Sequence, residues 1–136
     1  PIQVFNYTNL LASRGKAGPP HLVMLDGLPT NVRPKLTVEH WDQIIEDMRK
    51  VVSHPNGTGK KAQPDIPGAV IYGKTGTAEN PHGGNHAWFI GWVDYFNEKY
   101  SLVILLENAG SGGIVAAPIA MKIFRHLIQD DNLVLK

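Results

Sequence analysis

The residues best placed to do chemistry are Lys74, Thr75 and Thr77, within Gly73-Lys74-Thr75-Gly76-Thr77. A run of apolar, β-prone residues, Ala69 to Tyr72, leads into them. Glycine is poor inside a strand and usually marks close approach of a ligand or another backbone. Here Gly73 and Gly76 bracket a cation and a hydroxyl, with a second hydroxyl following. That spacing predicts a strand edge presenting an ammonium, two alcohols and backbone N–H groups to an anionic ligand.

Other candidate motifs compete with this one. Gly68 to Thr75 fits the phosphate-loop pattern G-x-x-x-x-G-K-[ST]. A phosphate loop needs free N–H groups and must open a helix. The four intervening residues are instead apolar and β-prone, and Pro81 follows rather than a helix, so a nucleotide-binding module is an alternative only. Ser13-Arg14-Gly15-Lys16 fits S-x-x-K, which activates a nucleophile when Ser and Lys lie one helical turn apart. Gly15 interrupts that turn, and the segment reads as a helix end. His82 and His86 flank a Gly-Gly-Asn turn, but no third ligand stands at a recognisable spacing, so no metal is expected.

The elements that must position the strand read as follows. Ile2 to Ser13 is loosely helical and stops at Arg14-Gly15. His21 to Leu25 is a short strand candidate, broken by Asp26-Gly27 and Pro29. Thr37 is an N-cap candidate for the clearest helix. Val38, Trp41, Ile44, Ile45, Met48, Val51 and Val52 form its apolar stripe. Acidic residues load its first half, and Arg49 and Lys50 its second. His54 to Gly68 is a loop. The Lys74 strand, a loop over Glu79 to Asn85, and strands over His86 to Tyr95 and Tyr100 to Glu107 then give a meander. The middle strand is apolar on both faces and should be central. Asn97-Glu98 is the expected hairpin turn, and Leu102 to Leu106 a buried run. Gly110 to Gly113 reads as a flexible link to a closing helix over Ile114 to Gln129. Its expected stripe is Ile119, Ile123, Leu127 and Ile128, with Pro118 in its first turn. The class is α+β: a three-stranded antiparallel meander flanked by helices.

Composition narrows the function. The 136 residues amount to one domain or less, and a net charge of +1 offers no basic field for nucleic acid. There is no cysteine, which excludes disulfides and thiolate metal sites. No apolar run approaches the ~20 residues that cross a bilayer. The opening Pro1-Ile2-Gln3 has no basic flank and no initiator Met. It is the opening expected of a clipped product or of one stretch of a longer protein.

From Gly73 to Trp92 the chain reads Gly-Lys-Thr-Gly-Thr-Ala-Glu-Asn-Pro-His-Gly-Gly-Asn-His-Ala-Trp-Phe-Ile-Gly-Trp. This run resembles the third active-site motif of the penicillin-binding proteins and the strand after it. The match continues into Glu107-Asn108-Ala109-Gly110 and Ala116-Ala117-Pro118-Ile119. The Asn-Pro-His-Gly loop and the Glu-Asn-Ala-Gly end resemble the elongation-type class B members, penicillin-binding protein 2. Pro1 to Tyr7 resembles the family's helix before a variable loop. Of the family's three motifs only K-T-G stands here. S-x-N is absent, and the Ser13 match is the sole S-x-x-K. The resemblance therefore implies the C-terminal portion of a penicillin-binding-protein/serine β-lactamase-like transpeptidase fold over residues 1–136, following the second motif.

The implied reaction is acyl transfer on the D-Ala-D-Ala end of a peptidoglycan stem peptide, with β-lactam antibiotics trapping the acyl-enzyme. By resemblance, Lys74 supplies positive potential near the terminal carboxylate, which Thr75 and Thr77 hydroxyls bind. The Thr77 N–H is one half of the oxyanion hole, and Gly76 lets the substrate backbone approach. His82 or Asn85 touches substrate from the loop over the cleft mouth. No cofactor is implied, and without a nucleophile this chain alone should be inactive. The implied partners are the remainder of the domain, or self-association, and the cell-elongation machinery. The implied location is the periplasmic face of the bacterial inner membrane, anchored by a segment outside this chain. The alternative is a β-lactamase or β-lactam sensor, which shares the K-T-G strand.

Overall fold

In the computed structural model, residues 1–21 and 34–129 are described. The strand expected over His21 to Leu25 lies outside them, save His21, which is in neither helix nor strand. Among the described residues the α-helices are α1 (Ile2–Ala12), α2 (Val38–Ser53) and α3 (Ala117–Gln129). The strands are β1 (Ala69–Ala78), β2 (His86–Tyr95) and β3 (Glu98–Leu106). They form one antiparallel sheet in the order β1-β2-β3, so β2 is central as its two apolar faces require. The class is α+β.

α1 stops where Arg14 and Gly15 turn left-handed, at φ 53° and 77°. The hydroxyl of Ser13 is spent on that stop. Its Oγ accepts the N–H groups of Lys16 at 3.1 Å and Ala17 at 2.8 Å. The S-x-x-K match is thus a helix cap. α2 starts at Thr37, whose side chain accepts the His40 N–H at 3.4 Å. Its stripe is buried at Trp41, Met48 and Val52, whereas Val38, at its first position, is 66% exposed.

The sheet divides the core in two. On one face Ile71, Phe89, Val93, Leu102 and Ile104 pack with Val52 of α2 and with Ala117, Ala120 and Phe124 of α3. Fully burying a ring such as Phe124 contributes roughly 1.5–3 kcal/mol. On the other face Leu11 and Ala12 of α1, with Trp41 and Met48 of α2, close over Trp92. Tyr72 stacks on Trp92 at 4.8 Å, and burial pushes its phenol above the usual tyrosine range.

Four expectations need correction. The hairpin loop is Phe96-Asn97, because Tyr95 pairs with Glu98. Phe96 adopts φ 50° and lies edge-on to Tyr95 at 4.6 Å, a position its apolar side chain disguised. Leu102 to Leu106 is not buried throughout. β3 is an outer strand, and only Leu102 and Ile104 on its core face are below a tenth exposed.

The closing helix buries Ala117, Ala120, Phe124 and Ile128, while Ile119 and Ile123 face outward at 36% and 38% exposure. Alanine carries little hydrophobic signal, yet it lets the helix sit close to the sheet. Gly112 and Gly113 do not form a free link. They open a π-helical turn, Gly112–Ala116, pressed against the sheet. A Cβ on Gly112 would stand 2.1 Å from the Trp88 carbonyl oxygen and 2.4 Å from that of Gly76.

Candidate active site along the outer edge of the first strand

β1 is an outer strand, so residues 74–78 have β2 on one side and no strand on the other among the described residues. Lys74 pairs with Ile90, Thr75 with Phe89, Gly76 with Trp88 and Thr77 with Ala87. Directly paired residues of an antiparallel ladder share a face. Lys74 and Gly76 therefore lie on the face of Trp88 and Ile90. Thr75 and Thr77 lie on the face covered by the π-turn and α3. The extended backbone through Gly68-x4-Gly-Lys-Thr also rules out the nest and helix start that a phosphate loop needs.

Two grooves border this edge. The first, of about 330 Å³, runs between β1 and the π-turn, and the hydroxyls of Thr58, Thr75, Thr77 and Ser111 line it. The second, of about 220 Å³, lies on the opposite face between Val4, Lys74, Trp88 and Ile90. Lys74 is exposed and its Nζ donates to the Thr75 carbonyl at 2.6 Å. It has no carboxylate partner among the described residues, so its charge is free to meet an anion. Thr58 Oγ1 lies 2.8 Å from Thr75 Oγ1.

The bracketing glycines differ in role. A Cβ on Gly73 would fall 2.4 Å from Phe89 Cζ, so Gly73 makes room for a core ring rather than for a ligand. At Gly76 the nearest atom to a Cβ is Trp88 Cβ at 3.3 Å, on the groove beside Lys74.

His82 and Asn85 line neither groove. Both are exposed in the loop joining β1 to β2. The His82 N–H donates to Asn80 Oδ1 at 3.0 Å, and the Asn85 carbonyl accepts the Gly110 N–H at 2.8 Å. Asn108 clamps the same loop: its Oδ1 accepts from Asn80 Nδ2 at 3.0 Å, and its N–H donates to His86 Nδ1 at 3.0 Å. His86 is thereby engaged as an acceptor in a turn contact.

Sequence reading missed Thr58, Asn108, Ser111 and Gly112. Thr58 and Ser111 stand in glycine-rich stretches that signal only loops. The one available hint for Gly112 was a paired glycine just before a helix.

The family model for the penicillin binding protein transpeptidase domain matches residues 1–125. The peptidoglycan D,D-transpeptidase MrdA of Haemophilus influenzae is 33% identical over 155 aligned positions, covering 94% of this chain and 23% of that protein. The chain spans about a quarter of the length of the curated MrdA relatives it matches. Among solved structures, Pseudomonas aeruginosa PBP2 in complex with WCK 5153 superposes with TM-score 0.75 at 30% identity, over 96% of this chain and 30% of that one. Helicobacter pylori PBP2, in complex with MreC, gives TM-score 0.75 at 26% identity, over 96% and 24%. With a family model running through all three strands, the grooved edge of β1 and most of α3, the chain belongs to the penicillin-binding-protein transpeptidase family.

Proposed function

We propose that this chain supplies the K-T-G wall of a peptidoglycan D,D-transpeptidase and that the attacking serine comes from outside it. The observation that carries this is the outer edge of β1, where Lys74, without a carboxylate partner among the described residues, stands on one face and Thr75 and Thr77 line a groove on the other. An ammonium without a carboxylate partner, next to alcohols, suits the terminal carboxylate of a D-Ala-D-Ala stem peptide or of a β-lactam. The serine oxygen adds to the penultimate carbonyl, and the tetrahedral oxyanion is held by the Thr77 N–H and the serine's own N–H. The amide C–N bond breaks, D-Ala leaves with a proton, and an amine of a neighbouring strand then displaces the serine from the ester. Each oxyanion donor is worth about 10²–10³ in rate. Gly76 admits the substrate backbone alongside the strand edge. His82 and Asn85, which line neither groove, are given no substrate contact in this reading.

The MrdA relatives support peptidoglycan as substrate, and a peptidoglycan substrate, which lies outside the inner membrane, fits its periplasmic face as location. The MreC complex of the H. pylori relative supports association with the cell-elongation machinery. Labelling with fluorescent penicillin tests the reading. The full-length protein is expected to be labelled, Lys74→Ala to be labelled at least about tenfold more slowly, and this chain alone not at all. Absence of label on the full-length protein would refute the proposal. Rapid release of hydrolysed antibiotic would replace it with a β-lactamase.

A further inference from the structure

We infer that Thr58 is a positioning residue for the site: its hydroxyl donates to Thr75 and turns the Thr75 proton toward the ligand's carboxylate. The inference rests on the carboxylate-binding role proposed above for Thr75. Thr58 Oγ1 and Thr75 Oγ1 are 2.8 Å apart, and either could donate by distance alone. A hydroxyl has one proton, and an ionised carboxylate only accepts. Once a carboxylate takes the Thr75 proton, the bond between the two threonines survives only if Thr58 is the donor. A bound anion therefore fixes the direction of the pair. Lys74 strengthens the same residue from the other side, donating to the Thr75 carbonyl at 2.6 Å.

The backbone around Thr58 is held from two directions. The Gly57 N–H donates to the His54 carbonyl at 2.8 Å, and the Gly59 N–H to the Val51 carbonyl at 2.9 Å, which ties the loop to the end of α2. On the far side Gly113 packs against the Thr58 carbonyl oxygen, where an added Cβ would come within 2.4 Å. The hydroxyl is thus set in place before a ligand arrives, and ordering it adds little entropy cost at binding. Ser111 and Thr77 line the same groove, so the carboxylate meets a pocket of alcohols in which, among the described residues, Thr58 and Thr75 stand within hydrogen-bond distance of each other.

The test compares second-order acylation rates of the full-length protein by benzylpenicillin and by its carboxyl methyl ester. Thr58→Val keeps the side-chain shape and removes the donor. Its expected effect is an acylation rate lowered roughly two- to tenfold for the free acid, the range of one neutral hydrogen bond. The same variant is expected to react with the ester as the unsubstituted protein does. Thr58→Ser, which keeps the hydroxyl, is expected to restore the free-acid rate to within about twofold. Equal rates for Thr58→Val and the unsubstituted protein with the free acid would overturn the inference. So would an equal loss with acid and ester, which would make Thr58 merely structural. Neither result touches the transpeptidase reading, which fails instead if the unsubstituted protein is acylated by neither compound.

Discussion

The two faces of the sheet are closed to different degrees, and β1, which carries the candidate site, runs along the boundary between them. On the α3 face, Ala87, Phe89, Val93, Ala117, Ala120 and Phe124 are all fully buried. On the opposite face, among the described residues, buried cover gathers at the Trp92 end. Trp88 and Ile90, on the same strand and the same face, are only partly buried beside Lys74. The α3 face is built for cohesion, while the opposite face keeps two partly buried apolar side chains beside an ammonium that has no carboxylate partner among the described residues. β1 belongs to both. Its first half contributes Ala69 and Ile71 to the closed core, and its second half leaves that cover at Lys74.

Substitutions on the two faces break or sharpen this contrast. The largest effect is expected at Phe89, fully buried against Gly73. Phe89→Ala is expected to cost about 3–5 kcal/mol in denaturant unfolding. Trp88→Ala, at a partly buried position, is expected to cost less, about 1–3 kcal/mol. Equal costs would remove the distinction between the faces.

Next comes Gly112→Ala. The new Cβ would collide with the carbonyl oxygens of Trp88 and Gly76, which are backbone atoms without a rotamer to relieve them. A loss of about 1–3 kcal/mol is expected. Because the push falls on Gly76, slower penicillin acylation should accompany it.

Asn108→Ala is expected to cost about 1–2 kcal/mol, since Asn108 sits at φ 53° and bonds Asn80. Asn108→Gly should recover the backbone share but leave the 79–85 loop loose, seen as faster amide exchange at Gly83 and Gly110.

The smallest effect concerns solvated charge on α2. Arg49 donates to both Glu46 oxygens, at 2.7 and 2.8 Å, and this holds the Glu46 carboxyl below the usual range. A carboxylate with a depressed value stabilises the fold above its unfolded pKa, and that contribution fades as pH falls through the depressed value. Arg49→Gln should therefore flatten the acid limb of the stability profile slightly and leave neutral-pH acylation unchanged.

How far these features could be foreseen depended on whether their signal was local. The α2 start at Thr37, the strand over Ala69–Ala78 and the central position of β2 follow from capping chemistry and from periods of 3.6 and 2, which neighbours in sequence express. The apolar face of α3 was misread because close packing there uses alanines, whose small side chains say little until a sheet lies beneath them. Phe96 in the hairpin loop was misread because register, not residue type, set the turn. At the site, Lys74, Thr75 and Thr77 were legible as a motif, while Thr58 and Ser111 were not.

The residues themselves settled that Lys74 and its two threonines would stand on one extended segment, and that a period of two would put the ammonium on one face and both alcohols on the other. Folding settled which face was covered, and that a loop 17 positions away in sequence would place a hydroxyl 2.8 Å from Thr75. The reason is the range of the forces involved. Backbone preference and alternation act between adjacent residues, whereas the gathering of Thr58, Thr75 and Ser111 depends on where α2 ends and how closely a glycine lets the π-turn approach the sheet.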